Sequence, residues 1–187
     1  MAIKATIYKA QLNLADMDRN VYVDTNITIA RHPSESDERM MIRVLALALG
    51  WPTDTSEGTI ELAKDMWEPD EPALWQKNYS DEILHWVEVG QPDDKRLMKA
   101  SGRARQVSLW AFQSSTPIWW DGIANKLARA ANVEAWHPLP GAPLRFRLRF
   151  IATLRLRLGA GSGLPSAGFC ISFLLSCGVL IQHLVDA

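Results

Sequence analysis

The chain has 187 residues and a mass of 21.0 kDa, with 48% hydrophobic and 22% charged residues, which is the composition of an ordinary globular protein about one domain long. Collagen-like, mucin-like and wholly disordered chains are excluded. With 20 Lys and Arg against 21 Asp and Glu the net charge is −1, so no global excess of positive charge draws nucleic acid to the whole surface, and any such site must be local.

The N-terminal residues alternate polar and apolar and lack the uninterrupted apolar stretch of a signal peptide. Strict alternation in Val21-Tyr22-Val23-Asp24-Thr25-Asn26-Ile27-Thr28-Ile29 puts Val21, Val23, Ile27 and Ile29 on one face of a half-buried strand. Residues 3–13 are its hairpin partner, joined through the turn formers of 15–20. A helix is predicted over 34–49, with Ser34 as cap, apolar residues from Met40 to Leu49 at helical spacing, and Gly50 as the stop.

Residues 59–63 form a short strand candidate, and Ile83 to Val89 a stronger one, apolar enough on both faces to be central in a sheet. Pro92 opens a second helix, 92–101, and a further strand runs over 107–113. Thr116-Pro117 starts a third helix, 116–131, with Ile118, Trp119, Ile123, Leu127 and Ala130 facing inward. Val133 to Trp136 closes as a short strand. The order β-β-α-β-(β)-β-α-β-α-β is that of a mixed α/β (α+β) domain.

Composition changes near residue 141. Residues 1–140 carry 15 basic and 20 acidic residues, a net of −5, whereas 141–187 carry five Arg and one Asp, a net of +4. The tail opens with alternating Arg and apolar residues and then has no charge from Gly159 to Gln182. Helix breakers fill the first part of that run, so a buried or association-prone segment is expected there, not a membrane span. Cys170 and Cys177, both in this run, make neither a disulfide framework nor a tetrahedral metal set, which fits a reducing cytoplasm.

Seven acidic residues lie between Asp54 and Glu71, and Glu88 follows near the end of the best strand. Two carboxylates from neighbouring segments suffice for a hard cation such as Mg²⁺, with water and phosphate completing its shell. Glu88 shares a strand face with Leu84 and Trp86, and an ionised carboxylate there is costly unless paired or metal-bound. Lys95 and Lys99, four apart on the second helix, could reach back over the strand end. Glu35 is placed to pair with Arg39. The four histidines have no metal-ligand spacing, and no Gly-x-Ser-x-Gly, Walker or dinucleotide-binding pattern occurs. The eight tryptophans read as core and cover, with Trp67, Trp75, Trp119 and Trp120 placed where rings could stack on bases.

At these residues a resemblance takes hold. The opening Lys-Ala-Thr-Ile-Tyr-Lys-Ala, Ala30-Arg31-His32-Pro33-Ser34-Glu35 with Glu38-Arg39-Met40-Met41, Asp70-Glu71-Pro72 with Trp75, Glu88-Val89-Gly90-Gln91-Pro92-Asp93 and Ile118-Trp119-Trp120 resemble the YaeQ family of bacterial proteins over residues 1 to about 140. The resemblance implies a variant of the PD-(D/E)xK restriction-endonuclease-like fold, in which an Asp and a second acid on the next strand bind Mg²⁺ or Mn²⁺ and a lysine two residues on orients the attacking water. Asp70, after Pro69, matches the first acid and Glu88 the second. Gly90 stands where the lysine belongs, so the role passes to Lys99 or, second, Lys95 on the following helix, with Glu38 as an auxiliary acid and Gln113 lining the cleft.

Residues 141–187 do not resemble the family. They read as a changed reading frame or a poorly ordered tail, and the native closing strands are expected to be missing. Two functions stay open: a metal-dependent nuclease with Asp70, Glu88, Lys99 and Glu38 at its site, and a catalytically silent module that binds nucleic acid or a protein partner, as in transcription. No membrane partner is expected.

Overall fold

The computed structural model describes residues 5–136 with their side chains and, beyond them, the backbone of 150–158, 168–176 and 179–183. The chain divides into two compact units, Met1–Glu35 with Pro140–Ala187, and Ser36–Leu139.

In the first unit, β1 (Thr6–Asp16) and β2 (Val21–Arg31) form the expected antiparallel hairpin, in register from Thr6 opposite Arg31 to Asp16 opposite Val21. Alternation becomes burial: Val21 and Ile29 are buried and Val23 and Ile27 half-buried, while Tyr22, Asp24, Asn26 and Thr28 face solvent. The turn is built on Asp16, whose carboxylate accepts the backbone N–H groups of Asp18 and Arg19 at 3.1 and 3.0 Å and the Arg19 side chain at 2.5 Å. Three strands of the tail, β8 (Phe150–Leu158), β9 (Gly168–Ser176) and β10 (Val179–His183), continue this sheet in the order β10-β9-β8-β1-β2, where the tail's composition led us to expect no closing strands. The remaining tail residues, 141–149 and Cys177 among them, lie outside the described residues.

The second unit contains α1 (Asp37–Leu49), β3 (Ile60–Leu62), a single 3-10 turn (Asp65–Trp67), β4 (Leu74–Lys77), β5 (Ile83–Val89), α2 (Asp94–Ser101), β6 (Ala104–Trp110), α3 (Thr116–Leu127) and β7 (Val133–Trp136). Its sheet runs β3-β4-β5-β6-β7, so β5 is the central strand that its apolar faces implied. The pairs β3·β4 and β4·β5 are antiparallel, and β5·β6 and β6·β7 are parallel. Parallel pairs need crossovers, which α2 and α3 supply, and the core forms where they cover the sheet, around Trp86, Leu97, Val107, Leu109, Ile123 and Leu127.

Several element boundaries differ from the sequence expectation, β1 running over 6–16 where 3–13 was expected and β3 over 60–62 where 59–63 was expected. Helix α1 starts at Asp37 and is capped by Ser36, not Ser34: the Ser36 hydroxyl accepts the Arg39 N–H at 3.2 Å, while Ser34 lies in the preceding turn, where its N–H donates to His32 Nδ1 at 3.1 Å. Helix α2 begins at Asp94 rather than at Pro92, because Asp93 caps it by accepting the Arg96 N–H at 2.8 Å. Strand β6 starts at Ala104 and ends at Trp110, because it pairs in register with β5 from Ile83 opposite Ala104. Helix α3 ends at Leu127, and Ile118 on its first turn is 81% exposed rather than inward, while Ile123 and Leu127 are buried.

Leu97 is fully buried between α2 and the sheet, so Leu97→Ala is expected to cost about 3 kcal/mol in urea unfolding. Ile118→Ala should stay within about 0.5 kcal/mol of the parent. Similar losses in the two variants would contradict this packing.

Candidate functional site

Strand β5 presents Leu84, Trp86 and Glu88 on one face, as its period of two requires. Glu88 is 3% exposed. Its Oε1 accepts the Trp86 indole N–H at 2.9 Å, two residues back on the same strand, and the Nε–H of Arg96 at 2.7 Å. Arg96 lies one turn into α2, so the short Gly90-Gln91-Pro92 connection and the Asp93 cap aim its side chain back at the end of β5.

The other end of the same guanidinium holds the loop between the 3-10 turn and β4. Arg96 donates to the carbonyl oxygen of Pro69 and, at 2.7 Å, to that of Glu71. Arg103, at the start of β6, donates to the intervening Asp70 carbonyl at 3.3 Å and lies over the Trp86 ring at 5.2 Å. Three consecutive carbonyls of residues 69–71 therefore accept from two guanidinium groups. The Asp70 side chain, 71% exposed, pairs with Lys99 Nζ at 2.5 Å.

A second charged group lies beside the first. Arg39 on α1 makes a two-pronged pair with the buried Asp65, at 2.6 and 2.9 Å, and also donates to the Val89 carbonyl at 3.1 Å. Arg43 approaches Asp65 at 3.7 Å. Asp65 holds this place with φ at +52°, a left-handed conformation that a non-glycine residue keeps only where its surroundings compensate.

These neighbours set the charges. Burial pushes the Glu88 carboxyl above its ordinary 4.5, and the nearby Asp65 carboxylate adds to the rise, while Arg96 and Trp86 pull the other way without cancelling it. The Lys99 hydrogen bond, with its charge, holds Asp70 below the usual carboxylate range.

The sequence candidates thus separate into an inner and an outer pair, Glu88 with Arg96 and Asp70 with Lys99. Lys95 is exposed on α2, Glu38 is exposed on the first turn of α1, and Gln113 is exposed in the turn before α3. Arg39, the expected partner of Glu35, makes a two-pronged pair with Asp65. No group of three or more His, Cys, Asp or Glu that could hold a metal ion occurs among the described residues. Trp75 is engaged with Lys77 at 3.7 Å and edge-on with Trp86, and Trp119 and Trp120 pack against the core, so among the tryptophans singled out for base stacking Trp67 is the most exposed.

Comparison with known proteins agrees with the motifs. Residues 1–140 match the family model described as YaeQ protein. The chain belongs to the YaeQ family. Over 138 residues it is 43% identical to "Uncharacterized protein YaeQ" of Salmonella typhi and 41% identical to that of Escherichia coli K12, covering 73% of this chain and 74% of each relative. The crystal structure of YaeQ protein from Pseudomonas syringae is similar at TM-score 0.65 and 41% identity over 71% of both chains. That from Xanthomonas axonopodis pv. citri is similar at TM-score 0.66 and 26% identity, over 98% of this chain and 99% of the other. Among the described residues of this YaeQ-family chain no helix is long and apolar enough to cross a membrane.

Arg96 and Asp65 are the members of the site that sequence reasoning missed as such. A signal for Arg96 existed: a carboxylate predicted inward on β5 demands a partner, and the next helix offers one guanidinium between two lysines.

The raised Glu88 carboxyl has a signed consequence. The folded chain takes up that proton at higher pH than the unfolded chain, so this group's contribution to stability grows as pH falls through the folded value and becomes constant below the ordinary 4.5. Glu88→Gln lacks the titration. The difference in unfolding free energy between parent and variant should shift toward the parent as pH is lowered from about 7 to about 4.3; a shift toward the variant would mean that Arg96 outweighs burial.

Proposed function

We propose that this YaeQ-family chain is a catalytically silent, restriction-endonuclease-like module that binds nucleic acid without cleaving it. The relation of its two acids supports the nuclease-like reading. Asp70 lies just before β4 and Glu88 on β5, the adjacent antiparallel strand, as the resemblance to PD-(D/E)xK proteins implies.

The observation that carries the silent reading is the Glu88–Arg96 contact at 2.7 Å. A metal ion on Asp70 and Glu88 needs both carboxylates, yet Oε1 of Glu88 already accepts from a guanidinium and an indole, and Asp70 is paired with an ammonium. These residues do not fit a divalent cation: its charge would be brought beside that of Arg96. Gly90, at the lysine position, has φ at +113°, a backbone conformation that a lysine adopts only with strain. Exposed Lys99 and Arg103 supply positive charge at the Asp70 loop, with Lys95 exposed on the same helix as Lys99, which suits phosphate contacts without sequence reading.

One observation favours the nuclease reading, in which Mg²⁺ or Mn²⁺ is held by Asp70 and Glu88: Lys99 does reach Asp70, as a relocated lysine would. The two readings separate in one assay. The full chain, incubated with single- and double-stranded DNA and with RNA in Mn²⁺, is expected to retard the nucleic acid in gel shift and to release no cleavage product, and Lys99→Met and Arg103→Met together should weaken binding and flatten its salt dependence. Mn²⁺-dependent cleavage lost in Asp70→Asn or Glu88→Gln would establish the nuclease.

A further inference from the structure

Arg96 gathers three oxygens from two separate segments of the chain. One carboxylate oxygen of Glu88 and the carbonyl oxygens of Pro69 and Glu71 converge on it from a central strand and from a loop five residues before that strand's antiparallel partner. Carboxylate and backbone carbonyl oxygens are the ligand class that hard divalent cations choose. Here the cation is covalently part of the chain.

We infer that Arg96 is the resident cation of this site: it fills the oxygen cradle made by Glu88, Pro69 and Glu71, neutralises the buried carboxylate, fixes the Asp70 loop against β5, and by its charge keeps divalent metal out. The inference rests on the silent reading above and goes beyond it, because it names the group that closes the site and says that removing this group opens a latent metal site.

Three features of the chain fit this role. Arginine is permanently charged and planar, so it can face three oxygens at once with separate N–H groups, which an ammonium on a flexible stem does less well. Its placement is built in from the backbone, since the Asp93 cap accepts the Arg96 N–H at 2.8 Å and starts α2 in register with the end of β5. Trp86, under the Arg103 guanidinium and bonded to Glu88, covers the carboxylate from the strand side, so water cannot easily replace Arg96 as the partner of that oxygen. Among neighbouring elements, α1 contributes Arg39 and Arg43 and the 3-10 turn contributes Asp65, and these pair with one another. Arg96 is the cation of α2 that reaches Glu88.

The test uses the full chain and the metals alone, so that it does not depend on cleavage or on nucleic acid. Mn²⁺ and Mg²⁺ are titrated calorimetrically into the parent, Glu88→Gln, Arg96→Met, and Arg96→Met with Glu88→Gln. The parent should show no site that depends on Glu88, Arg96→Met should bind Mn²⁺ at least about tenfold more tightly than the parent, and the double variant should lose that gain. Parent binding that Glu88→Gln abolishes would overturn the proposal, and so would a folded Arg96→Met with no gain.

Should Arg96→Met fail to fold, Arg96→Lys decides. One ammonium keeps the charge but cannot satisfy three separated oxygens, so Arg96→Lys should still exclude Mn²⁺ while the Glu71 and Ala73 amides, which bond to Glu68 and Val87, exchange with solvent at least about tenfold faster than in the parent. Unchanged exchange at both amides, or Mn²⁺ binding in Arg96→Lys, would refute the role. Cleavage by the parent that survives Glu88→Gln would refute the silent reading alone, cleavage that Glu88→Gln abolishes would refute both, and absence of a metal gain in a folded Arg96→Met would refute this inference alone.

Discussion

A buried carboxylate on the central strand of a sheet creates a demand that the surroundings must meet, and in this protein Arg96 meets it. Isolated, the Glu88 charge would cost several kcal/mol to hold away from water. The guanidinium reduces that cost and, in the same contact, ties the Pro69–Glu71 carbonyls to the strand. The position of Asp70, and with it the Lys99 pair, follows from this loop attachment, so the outer charges of the site depend on the inner pair. Removing either partner alone leaves the other charge buried and uncompensated, which is why the pair reads as a device for specific geometry more than for net stability.

The Arg39–Asp65 pair extends the same logic to α1. It draws the helix, through the Val89 carbonyl, to the end of the strand that bears Glu88, and Asp65 accepts a left-handed backbone to do so. The Asp65 carboxylate also raises the Glu88 carboxyl further. The chain therefore answers Glu88 and Asp65 each with a guanidinium and Asp70 with an ammonium, an arrangement that a divalent cation does not need and in which it would meet positive charge.

Much of this architecture was legible as pattern. The β2 alternation, the both-faces-apolar β5 and the spacing of Met40, Met41, Val44, Leu45 and Leu49 on α1 are local consequences of period two and period 3.6, and the structure keeps all three elements, with Met40 and Val44 of that helix buried and Met41, Leu45 and Leu49 half-buried. What escaped was decided by contacts distant in sequence. Strand β6 begins three residues earlier than its apolar run because pairing with β5 recruits Ala104, Arg105 and Gln106, and β4 is only four residues long, too short to show a period. Ser34 was the expected cap, but the chain between 32 and 35 turns before the helix begins, and the cap falls to Ser36. In the site, the inward turn of Glu88 followed from strand period; Lys99, expected to reach back over the strand end, meets Asp70 in the loop before β4. Which cation of α2 would take Glu88 did not follow, since that depends on carbonyls 25 and 27 residues away in sequence that no local pattern announces.

The central claim is that a guanidinium occupies the place of a metal ion. Anomalous diffraction from crystals of the full chain soaked in Mn²⁺ tests it most directly, because it locates the metal and the side chains in one map. The account predicts no anomalous peak between Asp70 and Glu88, with the Arg96 Nε–H still on Glu88 Oε1. A Mn²⁺ peak bonded to both carboxylates, with Arg96 swung away, would contradict it.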